Sequence, residues 1–236
     1  MSPEALRFSE RVLYEDNHLL IVNKLPSEIV QGDKTGDVPL VEEAKAYVGQ
    51  KHNKPGNVFL GVVHRIDRPV SGAVVFARTS KALARMNALL RDKGVHKSYL
   101  AVVKEKPPKP GGRLEHFLKK NEKQNKSYVV DEGTPGAKKA ALTYTLAGAS
   151  DRYHLLEVEL LTGRHHQIRA QLAAVGCPIK GDVKYGYDRP NRDGSIHLHA
   201  RFIGFEHPVR REMLSVVAPF PPGDALWKHF QNTINL

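Results

Sequence analysis

Short runs of Val, Leu and Ile, each closed by a charge, a Gly or a Pro, recur along the chain without a strict strand-helix alternation. That mixed order points to an α+β fold. Strands are expected at Val12 to Tyr14, His18 to Val22, Val58 to Val63, Ala73 to Ala77 and Ser98 to Val103. Helices are expected at Val41 to Val48, following Pro39, and at Lys81 to Arg91. In the second, Leu83, Met86 and Leu90 recur three and four apart behind the capping candidates Thr79 and Ser80. From Lys104 to Gly112 three Pro and three Lys run into Gly-Gly, which reads as a loop or linker. Apolar alternation then resumes in Leu114 to Leu118, Tyr128 to Val130 and Ala140 to Leu146, as in a returning antiparallel meander. One domain with insertions, residues 1–236, is therefore expected. A long strand through Leu155 to Leu161, a helix from about His166 to Val175, a strand through Ile196 to Phe205 and a short one through Met213 to Val217 follow. A terminal helix is expected at Gly223 to Phe230, with Pro222 near its first turn.

Charge identifies the class of partner. Thirty-six Lys plus Arg against 25 Asp plus Glu leave a formal charge of +11, with an isoelectric point near 9.7, as suits a chain that meets nucleic acid. Hydrophobic residues at 41% and charged residues at 26% fit a folded globular protein and exclude a disordered chain or a fibre. No basic amphipathic helix, lipidation signal or long apolar span suggests a membrane. Met1-Ser2-Pro3-Glu4-Ala5-Leu6-Arg7 lacks the apolar core and cleavage site of a secretory signal, so the expected location is the cytoplasm. The sequon Asn125-Lys126-Ser127 then has no glycosylation context. The single cysteine, Cys177, excludes an intrachain disulfide and a zinc site of paired cysteines.

Three other patterns carry no chemistry. Gly32-Asp33-Lys34-Thr35 lacks the Gly-Lys-Ser/Thr adjacency of a phosphate loop and reads as a turn. No Gly-x-Gly-x-x-Gly follows a strand, so no dinucleotide cofactor is expected. His197 with His199, and His165 with His166, have no carboxylate cluster at ligand spacing, and no metal is expected.

Two segments do carry chemistry. In Val62-Val63-His64-Arg65-Ile66-Asp67-Arg68-Pro69-Val70-Ser71-Gly72 a carboxylate sits between two arginines, past one apolar strand and before a second. Arg65 and Arg68 would hold Asp67 ionised, as a nucleophile or electrostatic anchor. A turn Asp paired with its neighbours is the plainer account of these residues alone. In Thr162-Gly163-Arg164-His165-His166-Gln167-Ile168-Arg169 a strand end meets a helix start loaded with donors, with Arg164 at the junction. The plainer account is a capping turn and an amphipathic helix, with Ile168, Leu172 and Val175 inside and the rest solvated. Between the two lies Lys97-Ser98-Tyr99-Leu100-Ala101-Val102-Val103, whose Tyr99 is either sheet surface or a general acid/base.

Taken together, His64-Arg65-Ile66-Asp67 with Ser71-Gly72, Lys97 to Val102, Thr162 to Arg169, and Gly176 to Asp182 with Tyr185-Gly186 resemble the RluA family of RNA pseudouridine synthases. The likeness begins at Val12 to Asp16 and Ile21 to Lys24 and runs into the strand at Ile196 to Phe205. It implies a mixed, mainly antiparallel sheet split by a central catalytic cleft and flanked by helices, with no cofactor. It implies catalysis by Asp67, with Tyr99 against the uracil ring taking the proton from carbon 5, Arg164 paired with Asp67, and Ile168 packed near the uracil. Arg65 would stabilise RNA from which the target base has been extracted. His64, Arg68, Lys97, His166, Gln167 and Arg169 are expected to contact RNA. So are Lys119, Lys120 and Lys123 in a basic hairpin that also carries Lys126, Lys138 and Lys139.

Departures from the family pattern are Ile66 for Leu, Val70 for Thr and Gln171 for His. None removes a reacting group. About ten residues precede the Val12 strand, so no separate N-terminal RNA-binding domain is expected. The implied reaction is conversion of uridine to pseudouridine in ribosomal or transfer RNA, by a monomer. The alternatives are an RNA-binding protein of the same fold without turnover, and a glycosidase-like hydrolase, which would need a second carboxylate near Asp67 that the motifs lack.

Overall fold

The computed structural model describes residues 7–233, and the export-signal reading falls mostly on residues outside them. In chain order the first elements are β1 (Val12–Glu15), β2 (Leu19–Lys24), α1 (Leu40–Lys51), β3 (Gly61–Val62), β4 (Ser71–Ala77) and α2 (Ser80–Arg91). Next come β5 (Val95–Val103), β6 (Gly111–Asn121), β7 (Lys126–Val130), β8 (Lys138–Ala149), β9 (His154–Leu160) and α3 (Gln167–Ala174). Then follow β10 (Leu198–Glu206), β11 (Met213–Val217) and α4 (Ala225–Thr233), with short 3-10 turns at Phe8–Arg11 and Val183–Tyr185. The fold is α+β and mainly antiparallel, as the pairs β1–β2, β2–β4, β3–β4, β5–β9, β6–β7, β6–β8, β8–β9 and β10–β11 show. The chain divides into two compact units, Met1–Lys97 with Ala200–Asp224, and Ser98–His199 with Ala225–Leu236.

In the first unit β2 pairs with β1 and with β4, in register from Leu19↔Ala77 to Lys24↔Gly72. Both strands are buried on both faces, which is why they read as unbroken apolar runs. Leu19, Ile21, Val75 and Ala77 pack on Ala82 and Met86 of α2 and on Ile203 and Phe205 of β10. Leu20, Val22, Val74 and Phe76 pack on Leu40, Val41, Ala44 and Val48 of α1. The Thr79 side chain accepts the Ala82 amide at 3.1 Å and caps α2, while Pro39 precedes the first turn of α1. The strand expected at Val58 to Val63 shrinks to Gly61–Val62. Val58 and Leu60 are apolar because their side chains fill the α1 core, not because they form rungs of a ladder.

Gly72, at the start of β4, has φ +118°, a left-handed value that side chains rarely adopt. A Cβ there would stand 2.3 Å from the Ala200 carbonyl oxygen.

In the second unit β5 pairs β9, β9 pairs β8, β8 pairs β6 and β6 pairs β7. The meander expectation is corrected here. The long strands β6 and β8 pair directly, from Gly111↔Thr145 to Leu118↔Lys138, so the short β7 lies outside β6 instead of between the two. The Pro- and Lys-rich stretch after β5 is a loop that ends where β6 begins. Helix α3 also departs from expectation: Gln167, Ile168, Arg169, Ala170, Gln171 and Leu172 are all buried, so its polar residues are not solvated. In α4, Trp227 and Phe230 are buried, and the His197 ring stacks on Trp227 at 5.2 Å.

Candidate active site

The Asp67 loop is made by an interrupted ladder. The Val63 amide still bonds the Val75 carbonyl at 3.2 Å, but the Val75 amide donates to the His64 ring Nε2 at 3.3 Å instead of to a main-chain carbonyl. The imidazole thereby ends β3 and releases the chain into the turn. Burial, with the Lys97 ammonium adding to it, pushes the His64 pKa down to about 3, so the ring is neutral and suited to accept that bond. Residue 64 is thus occupied by the scaffold, although the motif suggested an RNA contact.

The turn closes with the Val70 amide on the Asp67 carbonyl at 3.0 Å. Beneath it lies Lys24, fully buried. Its Nζ donates to the carbonyls of Leu25 at 2.8 Å, Arg68 at 3.0 Å and Val70 at 2.7 Å, a partner for each ammonium proton. The Ser27 amide also reaches the Arg68 carbonyl, at 2.9 Å. Glu28 accepts the Leu25 amide at 2.9 Å and the Arg11 guanidinium at 2.5 Å, and Arg11 Nε donates to the Asn23 carbonyl at 3.2 Å. Burial pushes the Lys24 pKa down to about 7, against the opposing pull of the Glu28 and Asp67 carboxylates.

The guanidinium of Arg68 bonds Asp37 at 2.5 Å, with both side chains exposed. Arg65 is exposed. The carboxylates of Glu28 and Asp67 act on Lys24 from within this unit. Motif reasoning gave Lys24 no role, although a lysine closing the apolar run Leu19 to Val22 is the local signal of a buried, fully bonded ammonium. Lys97 is half-buried, and desolvation lowers its pKa.

In the second unit Tyr99 is buried on β5, opposite Val158. Past β9, Gln167 shapes the turn that presents Arg164. Its Oε1 accepts the Thr162 hydroxyl at 2.7 Å and the Arg164 amide at 2.9 Å, and its Nε2 donates to the Ala141 carbonyl at 3.0 Å. Arg164 itself is exposed, with Nε on the Lys139 carbonyl at 3.0 Å. Ile168 is buried in α3.

His166, Gln167 and Arg169, expected to contact RNA, are buried and bonded to internal partners. His166, in the left-handed conformation with φ 51°, meets the Tyr185 hydroxyl through Nδ1 at 2.9 Å and stacks on His165 at 3.8 Å. Burial, with Arg169 nearby, takes its pKa down to about 2. Arg169 is 4% exposed and grips Asp182 with two parallel bonds of 2.7 and 2.8 Å. Gln171, standing where the family pattern has His, donates through Nε2 to the Leu114 carbonyl at 3.1 Å and meets His116 Nδ1 at 3.0 Å. These buried side chains lock α3 to its neighbours. Lys119, Lys120 and Lys123 are exposed on the hairpin of β6 and β7, with Lys120 paired to Glu122 at 2.6 Å.

Comparison with known proteins identifies the family. Residues 18–174 match the family described as RNA pseudouridylate synthase. The chain is 32% identical over 214 residues to the RNA pseudouridine synthase YhcT of Bacillus subtilis, covering 89% of this chain and 68% of that protein. It is 31% identical over 223 residues to the ribosomal large subunit pseudouridine synthase C of Escherichia coli, covering 90% of this chain and 67% of that one. Among solved structures, the human RNA pseudouridylate synthase domain-containing protein 4 superimposes with a TM-score of 0.79 at 22% identity, over 95% of this chain and 93% of that one. That superposition shows a shared fold.

Proposed function

The chain belongs to the RNA pseudouridylate synthase family, of RluA type, and we propose that Asp67 carries its chemistry, on large-subunit ribosomal RNA. The enzyme isomerises uridine to pseudouridine in RNA. The bond from ribose to a ring nitrogen breaks, the uracil turns, and carbon 5 is joined to the ribose. Whether the carboxylate attacks the anomeric carbon or removes a sugar proton, it has to be ionised and shielded from water. The observation that carries the assignment is the frame under the Asp67 loop, where the buried Lys24 ammonium bonds the carbonyls of Leu25, Arg68 and Val70 and fixes the turn that presents the carboxyl group.

Tyr99 and Arg164 are proposed to serve the same nucleotide. Tyr99 accepts the carbon 5 proton, and Arg164 supplies a guanidinium to the reacting carboxylate. The support is chemical: a phenol on a buried strand, and a permanent cation on a turn braced by Gln167. Ribosomal RNA is favoured as substrate by the name of the Escherichia coli relative, and RNA in general by the +11 charge. A monomer working in the cytoplasm completes the reading.

The test is tritium release from large-subunit ribosomal RNA labelled at uracil carbon 5. Asp67→Asn should abolish release while RNA affinity stays within about twofold, since the change is isosteric and removes only the charge. Substantial release by that variant would overturn the assignment. Tyr99→Phe should cleave and rejoin through carbon 5 but stall before that carbon loses its proton, and an unchanged rate of release would count against its role. Pseudouridine mapping in cells with and without the protein names the modified RNA.

A further inference from the structure

The inner face of the β6–β7 hairpin is fastened at Ser127. Its amide donates to the Tyr185 hydroxyl at 2.9 Å, and its Oγ donates to the His165 carbonyl at 2.7 Å. Ser127 is 2% exposed. Because side chains alternate along a strand, burying residue 127 turns residue 128 to the opposite face. Tyr128 is 38% exposed there, opposite Lys119 on β6. Its hydroxyl donates to Gln124 Oε1 at 2.5 Å, which fixes the ring, and the Lys126 ammonium lies 5.1 Å from the ring centroid.

We infer that Tyr128 is a stacking platform for an unpaired nucleobase of the RNA substrate. The inference rests on RNA being the substrate and adds a subsite to it. An aromatic ring on an outer strand, with the Lys126 ammonium over the ring and Lys119 opposite it, supplies what single-stranded RNA recognition requires. The ring takes a base face, and the cations take the adjoining phosphates. Lys119 and Lys126 make the surroundings complementary to a polyanion. Rigidity lowers the ordering cost on binding, because the strand and the ring are already set by Ser127 and Gln124.

The probe is a set of uridine-rich oligoribonucleotides, each carrying one 2-aminopurine at a different position, titrated with the protein, alongside turnover of a large-subunit ribosomal RNA transcript. Wild-type protein should quench 2-aminopurine emission at one position. Tyr128→Ala should lose that quenching, bind about tenfold more weakly, and raise KM with kcat unchanged. Tyr128→Phe keeps the ring and should keep the quenching. Lys119→Ala should leave quenching in place while lowering the slope of log affinity against log salt by about 0.7. Quenching and affinity unaltered in Tyr128→Ala, or no quenching by wild type at any position, would overturn the stack. If wild type quenches but makes no pseudouridine in the transcript, the stack stands and the proposed activity on that RNA fails.

Discussion

The Lys24 ammonium nitrogen stands 2.7 Å from the carbonyl oxygen of Val70 and holds, from the end of β2, the turn that carries Asp67. Lys24→Met would keep the bulk of the side chain and leave the carbonyls of Leu25, Arg68 and Val70 without that donor. An unmet buried acceptor costs about 1–3 kcal/mol, and relief from burying a charge returns part of it. The expected net loss is about 2–3 kcal/mol in urea denaturation. Turnover should fall at least about tenfold with RNA affinity kept, because a 1.4 kcal/mol misplacement of the loop suffices for that. Wild-type turnover in the variant would show that the carboxylate does not depend on this frame.

Gly72→Ala tests the close approach at the start of β4. The added methyl would meet main chain at Ala200, which cannot swing aside as a side-chain end can, and φ +118° is strained for alanine as well. A loss of more than about 4 kcal/mol is expected, enough to unfold a marginal protein. A variant that melts within a few degrees of wild type would contradict the packing described at this position.

The buried pair of Arg169 and Asp182 gives a third test. Asp182→Asn leaves a guanidinium of 4% exposure without its charge partner, and about 3–5 kcal/mol of stability should be lost. Replacing both with apolar residues, Arg169→Met with Asp182→Leu, should recover part of it, since no lone charge is then buried. RNA binding by the double variant should keep the wild-type salt slope. A slope lowered by about 0.7 would mean that Arg169 reaches a phosphate.

Acid sensitivity should centre on Glu15. Burial alone would raise its pKa, but bonds from His52 Nε2 at 2.7 Å, Lys51 Nζ at 2.8 Å and the Tyr47 hydroxyl at 3.0 Å outweigh burial and bring it down to about 2. The unfolded chain binds this proton near pH 4.3, about two units before the folded one does. The stabilisation is therefore complete above about pH 4.3 and drains away as the pH falls toward 2. Its size is about 3 kcal/mol at most. Glu15→Gln should flatten that part of the stability profile, measured by denaturant unfolding at stepped pH; an equally steep decline in the variant would place the acid-sensitive group elsewhere.

Much of the fold was legible because its signals are local. Strands β1, β2, β4, β5 and β9 announce themselves as apolar runs between breakers, and Thr79 marks the start of α2 by the hydroxyl that accepts the Ala82 amide. Asp67 stood out as a carboxylate in a strand-flanked motif. What misled were residues whose partners lie far along the chain. Val58 and Leu60 read as strand because their apolarity records burial under α1 and says nothing of pairing. Arg169 and Gln167 read as exposed donors because nothing near them in sequence reveals Asp182 or the Ala141 carbonyl.

Residue order along the chain settled the class of fold, the basic character of the protein and the family motifs, since periodicity, charge and short-range spacing survive without a structure. Folding in three dimensions decided which polar side chains serve the scaffold and which remain available to RNA, and it made the buried Lys24 the partner of the Asp67 loop. The physical reason is that desolvation and hydrogen-bond completion depend on every neighbour a group acquires, and those neighbours are brought together only when distant segments pack.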